Sequence, residues 1–238
     1  MDHLYGHLGQ CPSGAMAEGM PTRQADLTTD AIREGLGNVF WIGGGPASGK
    51  STIARRLANR YGLHLYATDD VMGDHAGHVT AEEAPCLDRF KAMDMDERWL
   101  TRSPEIMLDT FHWFHGEAFH LIVDDLLSLP AGTRVVAEGF RLLPHLVKPL
   151  LAEVDRAVWL LPTEDFRDAA LAQRGSTWQI PAKTSDPERA RQNLSERDRL
   201  FTERLTVETD RLGMRAIRLV PGMCEDEVAD QVARQFAL

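Results

Sequence analysis

The stretch that decides the fold reads Gly44-Gly45-Pro46-Ala47-Ser48-Gly49-Lys50-Ser51-Thr52. It matches the pattern G-x-x-x-x-G-K-[ST] at every fixed position. An apolar run over residues 39–42 precedes it and helix-forming sequence over residues 52–58 follows it, which predicts a strand, a glycine loop and a helix. An ordinary tight turn before a helix is the alternative, but the flanking strand and helix favour a phosphate-binding loop.

In such a loop, successive backbone N–H groups and the N-terminus of the following helix point at a polyphosphate. Residues 44–52 are therefore the candidates for nucleotide binding. Lys50 is expected to reach the β- and γ-phosphates, and the Ser51 hydroxyl is expected to bind Mg²⁺.

The composition restricts the kinds of partner. The chain has 238 residues, a formal net charge of −10 and no run of Lys or Arg, which disfavours a nucleic-acid partner. Its 43% apolar content is enough for a substantial core. Cys11, Cys86 and Cys224 are widely spaced, which is typical of reduced thiols. No apolar stretch approaches the roughly 18 residues of a membrane span, and the N-terminus lacks the pattern of a signal peptide. We therefore expect a cytoplasmic protein without a membrane partner.

Strand and helix patterns alternate along the chain, which is typical of an α/β fold with a parallel sheet. Residues 1–36 lack sustained periodicity and are predicted to form a flexible extension, joined by a short helix near residues 30–36. Residues 37–238 are predicted to form the folded domain. Its strands are predicted at residues 39–42, 64–67, 134–137, 157–161 and 215–220, and its helices at residues 50–61, 81–90, 103–130, 163–174, 187–212 and 225–236, with a short one after Pro144.

Carboxylates follow two of the predicted strands. Asp69 and Asp70 end the second strand, and Glu138 ends the third. Because parallel strands end at the same edge of a sheet, these side chains should lie near the glycine loop. We interpret Asp70 as the base that accepts a proton from an acceptor hydroxyl, and Asp69 and Glu138 as holding metal-bound water or the acceptor. A turn or helix cap after a strand is the alternative for each.

A second acidic pair competes with Glu138 for the metal. Asp124 and Asp125 follow the apolar run over residues 121–123, which read alone fits a metal-binding strand. The run lies inside a three- and four-residue periodicity, however, so helix is the favoured interpretation. Which of the two sites serves the metal stays open at this point.

Arginines supply the cations that phosphoryl transfer needs. Arg174 ends the helix after the fourth strand and is predicted to clamp the transferring phosphoryl group from a mobile lid. Arg141 closely follows Glu138 and is the best candidate for holding an anionic acceptor. Arg197 and its neighbours on the next helix alternate with acidic residues, which is typical of an exposed face with ion pairs.

With these features the chain resembles a P-loop kinase of the nucleoside-monophosphate-kinase and shikimate-kinase group. The resemblance runs from about residue 39 to the C-terminus and rests on the GGGPASGKST loop, Asp69-Asp70, Glu138-Gly139, Arg174 and Leu219-Val220-Pro221-Gly222, in that order. It implies a three-layer P-loop NTPase fold, with helices on both faces of a five-stranded parallel sheet of order 2-3-1-4-5. It also implies Mg²⁺ and ATP, a lid over residues 174–190, and an adenine site flanked by residues 219–222.

The chain departs from that group at two places. Glu138 stands where Asp is more usual, and the insert over residues 71–130, which we assign to acceptor binding, matches no acceptor site of the group. The expected function is transfer of the ATP γ-phosphate to a small-molecule acceptor by a monomer or homodimer. The alternative is a P-loop ATPase or a nucleotide-binding regulatory protein without an acceptor. A GTPase is disfavoured because the sequence has no N-K-x-D motif.

Overall fold

Five parallel strands form one sheet at the centre of the molecule. The computed structural model describes residues 22–174 and 180–238. The strands are β1 (Val39–Gly44), β2 (His64–Ala67), β3 (Val135–Glu138), β4 (Ala157–Pro162) and β5 (Ala216–Leu219), and they are ordered β2-β3-β1-β4-β5. The predicted sheet and its strand order are confirmed. In this register Glu138 lies opposite both Ile42 and Ala67, so the ends of β1, β2 and β3 meet.

The described helices follow the strands and pack on them. They are α1 (Thr22–Gly35), α2 (Lys50–Tyr61), α3 (Met72–His78), α4 (Pro85–Ala92), α5 (Met95–Trp99), α6 (Pro104–Thr110), α7 (Phe119–Ser128), α8 (Pro144–Val147), α9 (Glu164–Arg174), α10 (Pro187–Leu212) and α11 (Glu225–Gln235). Short 3₁₀ turns lie at His112–Phe114, Lys148–Leu150, Val154–Arg156 and Pro181–Lys183.

Each central strand is buried on both faces, which explains its uninterrupted apolar sequence. In β1, Val39 and Trp41 point into one core cluster, while Phe40 and Ile42 point into the other. The first cluster is completed mainly by α7 and α10, and the second by α2 and α11. The alternating side chains of the sheet therefore require a helical layer on each side.

The prediction of one continuous helix from residue 103 to residue 130 is wrong. The chain forms α6, a 3₁₀ turn and α7, and Ala118 takes a left-handed conformation with φ 59° just before α7. The break lets two consecutive aromatic residues enter different clusters, since Phe114 joins the main core and Trp113 packs with Leu87. A continuous helix would instead hold the two neighbouring side chains about 100° apart around a single axis.

Part of the predicted extension belongs to the packed structure. Helix α1 begins at Thr22, and Leu36, which follows it, is buried in the core that Ile32 also contacts. Arg33 donates from Nε to the Pro149 carbonyl at 2.7 Å. Packing therefore begins before residue 37, while residues 1–21 lie outside the described part of the chain.

Candidate functional site

The glycine loop over residues 44–52 connects the end of β1 to the start of α2. Gly49 caps the helix in a left-handed conformation, with φ 75°, and Ala47 also has a positive φ of 58°. The Lys50 amine is buried and donates to the Gly45 carbonyl at 2.8 Å, while the Ser48 hydroxyl lies 3.4 Å away. The lysine thus folds back over its own loop and places a positive charge among the loop's backbone groups.

Glu138 lies beside this loop at the end of β3. Its carboxylate is buried, with the Ser51 side chain beside it. Burial raises the pKa of Glu138, and the neighbouring Ser51 hydroxyl and Lys50 charge partly oppose that rise. The contact between Ser51 and Glu138 brings two of the sequence-predicted metal ligands together.

The two aspartates after β2 have different surroundings. Asp69 lines a cavity together with the loop, and burial raises its pKa, while the charges of Lys50 and Arg141 act in the opposite direction. Both aspartates are exposed at the surface, but Asp70 does not line that cavity, and its amide donates to the Ala67 carbonyl at 3.1 Å. Asp69 is therefore better placed than Asp70 for the role of base that the sequence suggested for Asp70.

Gly139 follows Glu138 with φ 152°. A Cβ at this position would lie 1.7 Å from Thr68 Oγ1 and 2.9 Å from Thr68 Cβ. A side chain here is excluded by the close approach of the β2 end to the β3 end. The glycine thus allows Asp69 and Glu138 to lie side by side.

The loop separates two cavities. The first, about 430 Å³, is bounded by Asp69, by the loop, and by an aromatic wall on the opposite side. The second, about 390 Å³, has a wall of mixed polar and apolar surface, and its larger apolar side chains include Phe166, Leu219, Met223 and Val228. Ala47, Ser48 and Gly49 line both cavities.

Two buried arginines in the first cavity were missed as individual site residues by the sequence analysis. Arg167 on α9 and Arg197 on α10 both line its wall, and their side chains are 5% and 8% exposed. Among the described residues, Arg167 Nε and Arg197 Nη1 have no hydrogen-bond partner. In the sequence each of these arginines is adjacent to acidic residues. The local pattern therefore could not distinguish a buried site arginine from one in a surface ion pair.

Arg141 lies behind the site and not on the cavity wall. It is buried, stacks 4.0 Å from the centre of the Trp113 ring, and donates to the Ala118 carbonyl at 3.3 Å. Its Nη2 also lies 3.1 Å from His75 Nδ1. Desolvation lowers the pKa of Arg141 to about 10. The guanidinium is thus surrounded by protein partners, and these partners lie in the insert over residues 71–130.

Asp125 belongs to the same network and does not contact the loop. It accepts hydrogen bonds from Tyr66 at 2.5 Å and from His75 Nε2 at 2.9 Å. Since a guanidinium can only donate, His75 Nδ1 accepts from Arg141 and Nε2 carries the proton toward Asp125. Asp124 is exposed on α7. The structure places Glu138, rather than this pair, next to Ser51.

The predicted lid is described only in part. The side chain of Arg174 and residues 175–179 lie outside the described part of the chain. From Ile180 onward the chain packs against the insert, because the Ser185 amide donates to Asp96 Oδ1 at 2.7 Å. Ile180 also lines the first cavity.

Across residues 22–174 and 180–238, no three His, Cys, Asp or Glu side chains converge as a metal-binding group. His112 is enclosed by aromatic rings, and burial lowers its pKa to about 3. Within the same residues, no helix has both the length and the apolar character needed to cross a membrane.

Comparisons with known proteins give no family. No family model and no curated protein match the chain. Among solved structures, one similar chain is an uncharacterized protein from Eubacterium ventriosum ATCC 27560, with 14% identity and a TM-score of 0.45. The alignment covers 84% of this chain and 97% of that one. A likeness at this level carries no information about function.

Proposed function

We propose that this protein is an ATP-dependent phosphotransferase that moves the γ-phosphate of ATP to a hydroxyl of a small molecule. The observation that carries the proposal is the position of the glycine loop between two cavities that share Ala47, Ser48 and Gly49. A phosphate held by the loop would have room for the adenine in the second cavity and for an acceptor in the first cavity. An ATPase or a nucleotide sensor requires only the adenine site.

The second cavity is the proposed site of the adenine. Phe166 on α9 and Leu219 at the end of β5 contribute to it, together with Met223 and Val228. These apolar side chains suit the faces of a purine, since apolar and aromatic groups provide most of the contact in ligand sites. This agrees with the region that the resemblance assigned to adenine.

The donor phosphates and Mg²⁺ fit the groups that surround the loop. The buried Lys50 amine and the N-terminus of α2 provide positive charge for the phosphates. Ser51 and Glu138 provide the oxygen ligands that Mg²⁺ prefers, directly or through water. Bound Mg²⁺ would neutralise charge on the phosphates.

On the acceptor side, Asp69 is the proposed base. Its carboxylate would take the proton of the acceptor hydroxyl as the hydroxyl oxygen bonds to the γ-phosphorus, and ADP would leave with the electron pair of the broken P–O bond. Arg167 lies in the same cavity with Nε unpartnered among the described residues. Its guanidinium is suited to stabilise the charge that develops on the transferring group.

The test is transfer of labelled γ-phosphate from ATP across a panel of nucleosides, nucleotides, sugars, hydroxy acids and aminoglycosides. We expect one class to be phosphorylated, and Lys50→Ala to lower kcat by about 100- to 1000-fold because one electrostatic donor is lost. Lys148→Ala is the matched control, since Lys148 is exposed and bonds only the Leu212 carbonyl among the hydrogen bonds described.

The contrary result is also well defined. Tight ATP binding with no acceptor in any class, together with hydrolysis that depends on a protein partner, would favour the ATPase or regulatory function. Unchanged transfer by Lys50→Ala would remove the loop from the mechanism.

A further inference from the structure

Asp198 on α10 places a second carboxylate in the wall of the first cavity. It lines this cavity together with Asp69, and its side chain is only 7% exposed. Oδ1 accepts two hydrogen bonds from Arg197, one from Nε at 2.9 Å and one from Nη2 at 2.6 Å. No hydrogen bond from residues 22–174 or 180–238 reaches Oδ2. Because Asp198 is otherwise enclosed, Oδ2 can accept from a donor that enters the cavity.

Arg197 fixes the orientation of this carboxylate. Its guanidinium carbon lies 5.3, 5.1 and 5.3 Å from the ring centres of Trp99, Phe111 and Phe114. Nη1 is enclosed by protein atoms, while Nε and Nη2 bond to Asp198. The guanidinium is therefore engaged within the wall, and the ion pair presents a carboxylate oxygen to a ligand.

The surface beside this carboxylate is aromatic. Trp99, Phe111, Phe114 and Phe140 line it, and Met72 extends the apolar surface at its edge. Phe114 meets Phe140 edge to face at 5.8 Å between centroids, and Phe111 lies 6.5 Å from Phe140 at an angle of 26°. Phe111 and Phe140 are partly exposed, so a flat apolar group can pack on them.

The charges on this side of the cavity favour a cation. Asp69 and Asp198 both contribute carboxylates, and the faces of aromatic rings also attract positive charge. Lys50 and Arg167 are the cations assigned above to the phosphate groups. An acceptor with a carboxylate or a phosphate of its own would add negative charge beside the two aspartates and the ATP phosphates, which is unfavourable.

We propose that the phosphoryl acceptor is a small aromatic amino alcohol. Its ammonium group donates to Asp198 Oδ2, its ring packs on the aromatic wall, and its hydroxyl faces Asp69. During transfer the hydroxyl oxygen bonds to the γ-phosphorus, its proton passes to Asp69, and ADP leaves with the electron pair of the broken P–O bond. This inference rests on the proposed function and names its substrate class.

Four probes separate the contributions. Phenylalaninol has the hydroxyl, the ammonium group and the ring. 3-Phenylpropane-1,2-diol has a hydroxyl in place of the amine, 3-phenyllactate has a carboxylate, and ethanolamine lacks the ring. Binding of each at neutral pH, with a non-hydrolysable ATP analogue bound, is measured by calorimetry, and transfer of labelled γ-phosphate is measured separately. We expect phenylalaninol to bind at least about tenfold more tightly than the others, since each lacks one main contact.

Asp198→Asn tests the ammonium contact, because it removes the charge and keeps the shape of the side chain. It should raise the Kd and KM for phenylalaninol by about 10- to 100-fold, the range of a charge-assisted hydrogen bond, and leave the Kd of the diol little changed. Asp210→Asn is the matched control, because Asp210 lies on the same helix but is exposed and does not line this cavity. If Asp198→Asn does not fold, the ranking of amine, diol and acid on the native protein still decides the matter.

The outcomes distinguish this inference from the proposed function. Transfer to hydroxy acids, sugars or nucleotides in preference to phenylalaninol overturns the amino-alcohol proposal and leaves the phosphotransferase proposal intact. Binding of phenylalaninol that depends on Asp198, with transfer to no compound of any class, supports the ammonium site and overturns the phosphotransferase proposal. Absence of phenylalaninol binding, or binding no tighter than that of the diol, overturns the amino-alcohol proposal.

Discussion

Replacing Gly139 with alanine tests how closely the ends of β2 and β3 must approach. The new Cβ would lie 1.7 Å from Thr68 Oγ1 and 2.9 Å from Thr68 Cβ, so Thr68 or the backbone must move. Because Thr68 precedes Asp69, this movement would also displace the proposed base. We expect Gly139→Ala to lower both the free energy of unfolding and kcat.

The expected cost has two parts. The backbone at φ 152° is a conformation that residues with a side chain rarely adopt, and forcing alanine into it costs about 1–3 kcal/mol. The overlap with Thr68 adds about 1–3 kcal/mol, as is usual for overpacking in a dense core. The total is about 2–6 kcal/mol, a large fraction of the stability of an ordinary domain.

The two parts of this cost can be separated by urea unfolding of four variants. These are Gly139→Ala, Gly213→Ala, Thr68→Ala, and Thr68→Ala combined with Gly139→Ala. Gly213→Ala is the control for the backbone, because Gly213 has φ 64° and a Cβ there would meet nothing within 4 Å. It should cost only about 1–2 kcal/mol. In a Thr68→Ala background, which removes Oγ1 and Cγ2, the cost of Gly139→Ala should fall by about 0.5–3 kcal/mol, the usual size of coupling between touching residues.

Two results would refute this reasoning. One is an equal loss of stability from Gly139→Ala and Gly213→Ala, which would leave no role for the overlap. The other is the same cost of Gly139→Ala with and without Thr68, which would show that the two residues do not press on each other.

Two further predictions concern the carboxylates. Burial raises the pKa of Glu138 above its value in the unfolded chain, so the folded protein holds that proton more tightly. Stability from this group is present at acidic pH and is lost as the pH rises through the raised pKa. Glu138→Gln should therefore unfold at higher urea than the native protein at neutral pH, with the difference shrinking toward acidic pH, and a constant difference would contradict the linkage. Burial also raises the pKa of Asp69, so the acid limb of kcat/KM should lie above the range of an ordinary aspartate. Asp69→Asn should abolish that limb and lower kcat by about 100- to 10,000-fold, and a comparable loss in Asp70→Asn instead would identify Asp70 as the base.

The sheet could be predicted from the sequence because its signals are local. The runs over residues 39–42 and 157–161 are apolar and end at turn residues, and the structure extends each of them by at most two residues. Helix α10 has Pro187 at its start and Gly213 at its end, and its predicted bounds are confirmed. The grouping of Asp69 and Glu138 also follows from the sequence, since parallel strands bring their ends together.

The insert could not be predicted in the same way. Apolar residues recur at three- and four-residue spacing from Met107 to Leu127, which fits one long helix as well as two short ones. Whether the segment forms one helix or two depends on which hydrophobic cluster each aromatic side chain joins. Contacts with residues distant in sequence, such as Leu87, decide this. Periodicity along one segment does not contain this information.

The arginines illustrate the same limit for the site. Arg141 follows Glu138 closely, so its position suggested the acceptor site, but its neighbours in space are Trp113, His75 and a backbone carbonyl. Arg197 looked like part of a charged helix surface, yet it is buried among aromatic rings. Whether a cation faces a ligand or the protein is set by tertiary packing.

The three residues that line both cavities have a thermodynamic consequence. Ala47, Ser48 and Gly49 form a thin shared wall, and Ala47 holds a positive φ that few residues with a side chain adopt. A ligand that binds on one side restricts the conformations of this shared wall. The second ligand then causes a smaller loss of conformational entropy when it binds on the other side. The affinities for the two ligands should therefore be reciprocally linked, with each tightening the other by the same factor.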